Sequence, residues 1–186
     1  MHRTGSAALI PALETERLRF RAFRPDDLDR WAAVMAHPVT VRHFGGEPVP
    51  REETWRKLLA AAGLWAMLGY GYWAVERKSD GLLVGQVGFS DFKRAMTPAI
   101  EGVPEAGWIL APDAHGVGYA AEAVREMIRW ADRTLAAPLT AAIIDPDNAP
   151  SIRVAEKTGF SARETATYKG KPILLFERRR SAPAAN

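Results

Sequence analysis

The fold is decided by one stretch, Trp108-Ile109-Leu110-Ala111-Pro112-Asp113-Ala114-His115-Gly116-Val117-Gly118-Tyr119-Ala120-Ala121-Glu122. It predicts a short apolar strand, a tight loop with two glycines, and an amphipathic helix that begins after Gly118. The first amides of a helix have no intrahelical partner, and the helix dipole adds positive charge, so such a loop suits a phosphate. Gly116 and Gly118 allow positive φ angles and let a ligand approach the backbone closely.

Other phosphate-binding loops fit this sequence less well. The spacing Gly116-x-Gly118-x-x-Ala121 matches a relaxed dinucleotide fingerprint, although a glycine-rich turn without any ligand has the same spacing. A dinucleotide-binding domain requires strands that alternate with helices and an acid about 20 residues after the glycines. Here three consecutive strands are predicted before the loop, and Asp145 follows too late. A nucleotide-triphosphate loop is disfavoured because no Lys-Ser or Lys-Thr follows the glycines.

The composition indicates one ordinary globular domain. The chain has 186 residues, of which 47% are hydrophobic and 25% charged. It contains no cysteine, which excludes a disulfide framework and a thiol nucleophile. No apolar run has the length of a membrane span or of a signal peptide, so we expect a cytoplasmic protein without a membrane partner. A net charge of +3 suits an anionic small ligand, and it does not indicate nucleic-acid binding.

The segments before the glycine loop follow from alternation, caps and turns. Alternating apolar residues predict a strand from Thr15, and acids in the first turn mark two helix starts. An Asp80-Gly81 turn between apolar runs predicts a hairpin. The predicted order is a strand from Thr15, a helix from Pro25 to His37, a loop over 37–50, a helix from Pro50 to Gly69, a hairpin over 72–92, a loop over 93–104 and a strand from Glu105 to Ala111.

After the glycine loop and its helix, the sequence predicts a strand from Leu139 to Ile144 and a second short helix. Asn148 is a good N-cap for this helix, and Gly159 is a good residue to end it. A final hairpin is predicted from Ser161 to Arg179. Residues 13–180 would then form a single domain, with flexible tails at 1–12 and 181–186.

Three motifs after this strand order resemble the GNAT superfamily of acetyl-CoA-dependent N-acetyltransferases, and most closely its ribosomal-protein N-terminal acetyltransferase branch. They are Glu105-Ala106-Gly107-Trp108-Ile109-Leu110, Gly116-Val117-Gly118-Tyr119-Ala120-Ala121-Glu122-Ala123 and Asn148-Ala149-Pro150-Ser151-x-Arg153-Val154-x-Glu156-Lys157-x-Gly159-Phe160. The resemblance covers roughly Leu13 to Arg180. It implies an α/β (α+β) fold with a mixed central sheet of about six to seven strands, a splayed strand pair and about four flanking helices.

The resemblance also implies how acetyl-CoA binds. The pantetheine arm would lie between the splayed strands and pair with backbone groups of Ile109, Leu110 and Ala111, as an added strand does. Asn148 would bind the pantetheine, and Ser151 would lie near the sulfur. The pyrophosphate would bind the N–H groups of His115, Gly116, Val117, Gly118, Tyr119 and Ala120. Asp113 departs from the family, in which many members carry Gln or Arg at this position.

The implied chemistry is direct attack of a neutral amine on the thioester, which needs a base, an oxyanion donor and a donor for the thiolate. Glu105 is the candidate base, although a solvent-facing acid would fit the sequence equally well. The N–H of Leu110 is the candidate oxyanion donor. Many relatives protonate the thiolate with a tyrosine whose register here is Ala155, so Ser151 is expected to replace it, unless Ser151 only caps the helix. Tyr168 is an alternative acid or a wall of the acceptor pocket, unless it only packs in the core or on the surface, which the sequence favours.

The function therefore expected is acetyl transfer to a primary amine, either a protein N-terminus or a small molecule. A non-catalytic acetyl-CoA-binding regulatory module is the alternative, and a nucleic-acid-associated protein is a weaker one. The expected partners are acetyl-CoA and the amine, and a homodimer is also considered. His37 and His43 could line the acceptor pocket, but two histidines without a third ligand do not indicate a metal.

Overall fold

A computed structural model describes residues 10–180 of the chain. The strands in that range are β1 (Leu13–Glu14), β2 (Leu18–Arg21), β3 (Tyr72–Arg77), β4 (Leu83–Ser90), β5 (Met96–Thr97), β6 (Glu105–Leu110), β7 (Leu139–Ile144), β8 (Ser161–Tyr168) and β9 (Lys171–Arg179). The helices are α1 (Leu28–Ala36), α2 (Pro38–Val41), α3 (Arg51–Leu68), α4 (Tyr119–Thr134) and α5 (Ala149–Lys157). Short 3-10 turns lie at Pro25–Asp27 and Pro112–Ala114.

All nine strands form one mixed sheet in the order β1-β2-β3-β4-β6-β7-β9-β8-β5. Neighbouring strands are antiparallel except β6 and β7, which run parallel and are connected through α4. A parallel pair needs a long crossover, and the amphipathic helix after the glycine loop supplies it. The α+β fold with a mixed sheet is therefore confirmed.

Local signals set the helix ends where the sequence predicts them. α3 ends at Gly69, whose φ of +74° is in the left-handed region that favours glycine. α5 begins after Asn148, whose Oδ1 accepts a hydrogen bond from the backbone N–H of Ser151 at 3.2 Å. α5 is followed by Gly159, with φ +91°. The predicted hairpin also forms, as β3 and β4.

Three short elements were not predicted. β5 forms inside the predicted loop 93–104 because it pairs with the distant strand β8. β1 is a two-residue extension that pairs with β2. α2 forms in the predicted loop 37–50, where Pro38 starts the turn and Nδ1 of His37 accepts from the N–H of Val39 at 3.2 Å. Without β1 and β5 the sheet has seven strands, within the predicted range of about six to seven, and without α2 there are four helices, as the prediction of about four has it.

A cluster of tryptophans holds α3 and α4 against one face of the sheet. Trp65 of α3, Trp73 of β3 and Trp130 of α4 are buried, with ring centroids 4.7–5.5 Å apart in edge-on contacts. Such contacts add about 0.5–1.5 kcal/mol each to the effect of burial. The cluster therefore fixes the position of α4, whose N-terminus follows the glycine loop.

The same cluster anchors the beginning of the described chain. Nε1 of Trp73 donates a hydrogen bond to the carbonyl of Pro11 at 2.7 Å. Pro11 belongs to segment 1–12, which the sequence predicts to be a flexible tail, so residues next to Pro11 are held by the core. The remaining parts of the predicted tails, residues 1–9 and 181–186, lie outside the described residues.

Replacing Gly88 of β4 by alanine is expected to destabilise the fold by about 1–3 kcal/mol or more, as overpacking does. A Cβ there would lie 2.2 Å from the carbonyl oxygen of Gly71 and 2.4 Å from Cα of Tyr72. Both are backbone atoms, which cannot rotate away. Gly63→Ala in α3 is the control, because its Cβ would meet nothing within 4 Å and alanine favours a helix. Urea unfolding should show a loss for the first variant only.

Candidate active site

The parallel strands β6 and β7 pair only near their beginnings. The register joins Glu105 to Ala141, and the N–H of Ala141 donates to the carbonyl of Pro104 at 3.1 Å. Over the described strands no further pairing follows toward Leu110 and Ile144, at the carboxyl ends. A wedge-shaped gap therefore opens between the two backbones, and the predicted splayed pair is confirmed.

Pairing with β4 decides which backbone groups of β6 face this gap. The N–H of Ala111 donates to the carbonyl of Val84 at 2.8 Å. Along an antiparallel strand, residues whose backbone groups bond to the neighbouring strand alternate with residues whose backbone groups point away from it. The N–H and C=O of Ile109 therefore also point to β4, whereas those of Trp108 and Leu110 point into the gap. The prediction for Ile109, Leu110 and Ala111 is corrected accordingly: of the three, only Leu110 directs its amide groups into the gap, and Trp108 joins it.

His115 folds back toward the same position. Its Nε2 lies 2.9 Å from the carbonyl oxygen of Leu110. A carbonyl oxygen can only accept, so Nε2 carries the proton in this contact. The N–H of Leu110 is thus the group that β6 offers to the gap as a donor at this point.

The loop between β6 and α4 has the geometry of an anion cradle. Gly116 and Gly118 have φ angles of +79° and +86°. The first helical hydrogen bond runs from the N–H of Glu122 to the carbonyl of Gly118 at 3.2 Å. The N–H groups of Tyr119 and Ala120 therefore have no acceptor within the helix, and they are available to a phosphate at the positive end of its dipole. The six predicted loop residues, 115–120, are brought together here, but the prediction is corrected for His115, whose N–H donates to the carbonyl of Pro112 at 3.2 Å.

Glu122, an acid in the first turn of α4, is paired in a way that leaves the cradle usable. Its carboxylate accepts from Nε of Arg17 at 2.7 Å and from Oγ1 of Thr15 at 2.6 Å. Burial alone would raise the pKa of Glu122, but the hydrogen bonds from Thr15 and Arg17 outweigh it and lower the pKa. Arg17 also donates to the carbonyl of Val117 at 3.0 Å and lies over the ring of Tyr119. The loop is therefore fastened to the segment before β2.

A cleft of about 520 Å³ continues from the cradle along α4. Four basic and two acidic side chains line it: Arg17, Arg125, Arg129 and Lys157, with Glu16 and Glu122. Within residues 10–180, neither Arg125 nor Lys157 has an ion-pair partner. The cleft thus has an excess of positive charge and suits a second anionic group next to the cradle.

Asp113 departs from the family pattern, and α1 compensates its charge. Nη2 of Arg30 lies 2.8 Å from both carboxylate oxygens of Asp113. Nε of Arg30 also donates to the carbonyl of Leu83 at 3.2 Å. This ion pair neutralises an acid that would otherwise repel a phosphate, and it ties α1 to the turn before the loop.

On the other side of the gap, α5 presents Asn148 and Ser151. Oδ1 of Asn148 caps the helix, which leaves its Nδ2 as a donor. The hydroxyl of half-buried Ser151 has no hydrogen-bond partner within the described residues, so it is not the group that caps α5. Ala155 is fully buried, and a tyrosine at that register would have no space.

Glu105, the candidate base, is not a solvent-facing acid. Its side chain is only 6% exposed, and it forms a two-point ion pair with Arg94. Nε of Arg94 lies 2.6 Å from Oε2, and Nη2 lies 2.8 Å from Oε1. The guanidinium carbon lies 4.8 Å from the ring centroid of Tyr168 and 5.1 Å from that of Phe92. Tyr168 is therefore brought into this group of residues.

A second tyrosine lies on the same face of the sheet. A Cβ at Gly107 would come within 2.5 Å of the hydroxyl of Tyr72, so this glycine gives the ring its place over β6. The hydroxyl lies 3.5 Å from Oγ of buried Ser90, which is paired in register with Glu105. Burial raises the pKa of Tyr72 to about 12. Its hydroxyl keeps its proton near neutral pH, so it is a donor and not a base.

The structure gives the histidines minor contacts. Nδ1 of His43 lies 3.7 Å from a carboxylate oxygen of Asp145, after β7, whereas His37 caps α2. Within residues 10–180 no three His, Cys, Asp or Glu side chains are grouped so that they could hold a metal ion. No helix in that range is long and apolar enough to cross a membrane.

The sequence analysis did not identify several residues of the site, and three of them show why. Arg94 lies in a predicted loop, and no spacing rule connects it to Glu105. Tyr72 was placed on its strand, but its position over Gly107 depends on the register with β4. Arg17 lies in the strand predicted from Thr15, and the alternation of that strand gives it no functional signal. Its contact with Glu122 joins distant parts of the chain and leaves no local signal.

Comparison with known proteins identifies the class. The fold is that of solved acetyltransferases. A putative GnaT-family acetyltransferase from Bordetella pertussis superimposes with a TM-score of 0.80 at 28% identity, over 91% of this chain and 99% of that one. RimL, a ribosomal L7/L12 α-N-protein acetyltransferase solved with coenzyme A, gives 0.72 at 14% identity, over 91% and 98%.

The family follows from the sequence itself. Residues 17–161 match the model of the acetyltransferase (GNAT) domain. The chain belongs to the GNAT acetyltransferase family. The uncharacterized protein YkkB of Bacillus subtilis (strain 168) is 37% identical over 115 residues, which are 60% of this chain and 63% of that protein. This match thus spans less than two thirds of YkkB.

Proposed function

We propose that this protein transfers the acetyl group of acetyl-CoA to a primary amine by direct attack in a ternary complex. The observation that carries the proposal is the wedge between β6 and β7, which leads to the cradle at Gly116–Gly118 and the basic cleft. An extended ligand with amides at one end and phosphates at the other fits these surfaces, because its amides would lie in the wedge and its phosphates at the cradle and the basic cleft. RimL, which shares the fold, was solved with coenzyme A.

In the proposed complex each part of acetyl-CoA has a partner of fitting chemistry. The pantetheine amides pair with the gap-facing groups of Trp108 and Leu110 and with Nδ2 of Asn148. The pyrophosphate binds the free N–H groups at the start of α4. The third phosphate of acetyl-CoA, which is not part of the pyrophosphate, lies in the cleft lined by Arg125 and Lys157.

The proposed reaction uses three groups around the thioester. The amine nitrogen attacks the carbonyl carbon while the N–H of Trp108, the gap-facing residue nearer to Glu105 than Leu110 is, stabilises the oxygen that becomes negative. Glu105 accepts the proton that the ammonium must lose before attack. The C–S bond then breaks while the hydroxyl of Ser151 donates a hydrogen bond to the departing thiolate. The thiolate takes up the second proton, which the nitrogen loses as the amide forms, and Glu105 releases the first proton to solvent. The products are an N-acetylated amine and a free thiol.

One observation favours the alternative, a regulatory module that binds acetyl-CoA without turnover. Both carboxylate oxygens of Glu105 are engaged by Arg94, so the base is occupied. The two functions differ in whether acetyl-CoA is consumed in the presence of any amine.

The deciding experiment measures thiol release from acetyl-CoA with a panel of primary amines. The panel should contain peptides with free N-termini, polyamines, an aminoglycoside and simple alkylamines. Because the chain has no cysteine, a thiol reagent detects only free coenzyme A. Amine-dependent release supports acetyl transfer. Tight binding of acetyl-CoA in calorimetry, with no release for any amine, would establish the regulatory module instead.

Replacing Gly118 by valine is expected to weaken acetyl-CoA binding by about tenfold or more, while the fold survives. Apart from Nη2 of Arg17 at 3.6 Å, a Cβ at this position meets no atom within 4 Å, so the protein itself has room for it. The φ of +86°, however, costs a β-branched residue roughly 1–3 kcal/mol. The loop relaxes, and its N–H groups move away from the phosphate. Calorimetric titration with acetyl-CoA measures the loss.

Gly81→Val is the matched control for this variant. Gly81 has a similar φ of +72° and equally open surroundings, but it lies in the turn between β3 and β4. Both variants should lose similar stability, and only Gly118→Val should lose affinity. Unchanged affinity in a folded Gly118→Val protein would remove the cradle from the proposal.

A further inference from the structure

The surroundings of Arg94 form a complete recognition site for an organic cation. The carboxylate of Glu105 accepts two hydrogen bonds from the guanidinium, at 2.6 and 2.8 Å. The rings of Tyr168 and Phe92 lie 4.8 and 5.1 Å from the guanidinium carbon. A carboxylate combined with aromatic faces is the arrangement that proteins use to bind ammonium and guanidinium groups. We call these three residues, Glu105, Tyr168 and Phe92, the cation cage.

The cage lies where an acceptor amine must lose its proton. Glu105 stands at the joint between β6 and β7, at the closed end of the wedge. While Arg94 bonds to both oxygens, it occupies the position that an ammonium group would take at this carboxylate. The contact is therefore incompatible with proton transfer to Glu105, unless Arg94 leaves.

Arg94 is the more exposed partner of this ion pair. Its side chain is 18% exposed, three times the exposed fraction of Glu105. Its partners within residues 10–180 are the three residues of the cage, and it has no second carboxylate. A long side chain at a partly exposed position can rotate into solvent, where its charge is hydrated.

We propose that the cation cage is the binding site for the reacting ammonium group of the acceptor, and that Arg94 is a resident stand-in which the acceptor displaces. The exchange replaces one cation by another, so the buried carboxylate is never left without a partner. It follows that the preferred acceptors are amines that are protonated before they bind. This inference rests on the proposed function.

Chemically, the exchange precedes the transfer. The ammonium replaces the guanidinium on Glu105 and passes one proton to the carboxylate. The neutral amine then attacks the thioester. Amines that are uncharged at neutral pH, such as anilines, cannot displace Arg94 and should be poor acceptors for the wild-type protein.

Arg94→Ala separates this proposal from a structural role. If Arg94 is a competitor, its removal should lower KM for the best alkylamine of the panel by about tenfold, the effect of removing a competing charge-assisted pair, with kcat nearly unchanged. If Arg94 only positions Glu105, kcat should fall and KM should stay the same or rise, which would overturn the proposal. Arg163→Ala, which removes a surface arginine paired with Glu177, is the control and should change neither constant.

A binding experiment tests the cage without any turnover. Millimolar guanidinium chloride or methylammonium chloride should raise the melting temperature of Arg94→Ala above that in equal sodium chloride. The wild type, whose cage is filled by Arg94, should respond only at about tenfold higher concentrations, and the Arg94→Ala/Glu105→Gln double variant should not respond. No response in folded Arg94→Ala would overturn the cage. A response together with no acetyl transfer to any amine would leave the cage standing as a cation site and would remove only the proposed reaction.

Discussion

Glu105→Gln is expected to lower kcat/KM by about 10²–10⁴-fold, the usual effect of losing a general base. Glutamine keeps the shape of the side chain and one acceptor oxygen, but it cannot take a proton from the ammonium. Affinity for acetyl-CoA should stay within about twofold, because Glu105 lies at the opposite end of β6 from the phosphate cradle. Thiol release across a range of pH measures the first effect, and calorimetric titration measures the second.

The control must separate chemistry from stability, since Glu105→Gln also weakens the ion pair with Arg94. Glu101→Gln is suitable because Glu101 is an exposed acid in the loop before β6, and its one ion pair within residues 10–180 is with Lys93. Thermal unfolding of both variants shows whether the site variant is folded under the assay conditions. Full turnover by Glu105→Gln at every pH would assign the proton to water or to Tyr168.

Ser151→Ala should lower kcat by roughly ten- to a hundredfold and leave acetyl-CoA binding nearly intact. A hydrogen bond to a charged group is worth about 1.5–3 kcal/mol, and here it exists only once the thiolate forms. The structure strengthens this expectation, since the Ser151 hydroxyl is not used to cap α5. Single-turnover kinetics report the chemical step directly.

Ser151→Thr tests the same hydroxyl by retaining it, and it should keep most of the activity. Ser161→Ala removes a hydroxyl from exposed β8 and should have no effect. Introducing tyrosine at Ala155 does not provide a usable test, because that position is fully buried. Normal turnover by a folded Ser151→Ala variant would leave the thiolate without a protein donor on α5.

Local chemistry explains which parts of this fold could be predicted. The cradle, the helix after it and the cap at Asn148 each depend on residues within one turn of one another. The φ angles of glycines, the unpaired N–H groups at a helix start and the hydrogen bonds of an N-cap all depend on residues close in sequence. They can therefore be predicted from the sequence. The positive φ angles of Gly116 and Gly118 and the N-cap contact of Asn148 have the predicted form.

The parts that could not be predicted depend on pairing between distant segments. Which amides of β6 face the gap is decided by the bond from Ala111 to Val84, one strand away. β5 exists only because β8 lies beside it. The ion pair between Arg94 and Glu105 needs a loop to fold over the sheet, and neither residue carries a pattern that identifies the other.

The single register pair between Glu105 and Ala141 has a mechanical consequence. It divides the sheet into two panels, β1-β2-β3-β4-β6 and β7-β9-β8-β5. The two panels meet at this one pair, which acts as a fulcrum. Rotation of one panel against the other widens the far end of the wedge most and displaces the fulcrum least. The carboxylate of Glu105 stands at that fulcrum. A wedge that flexes to admit or release a long ligand would therefore keep its proton acceptor nearly still.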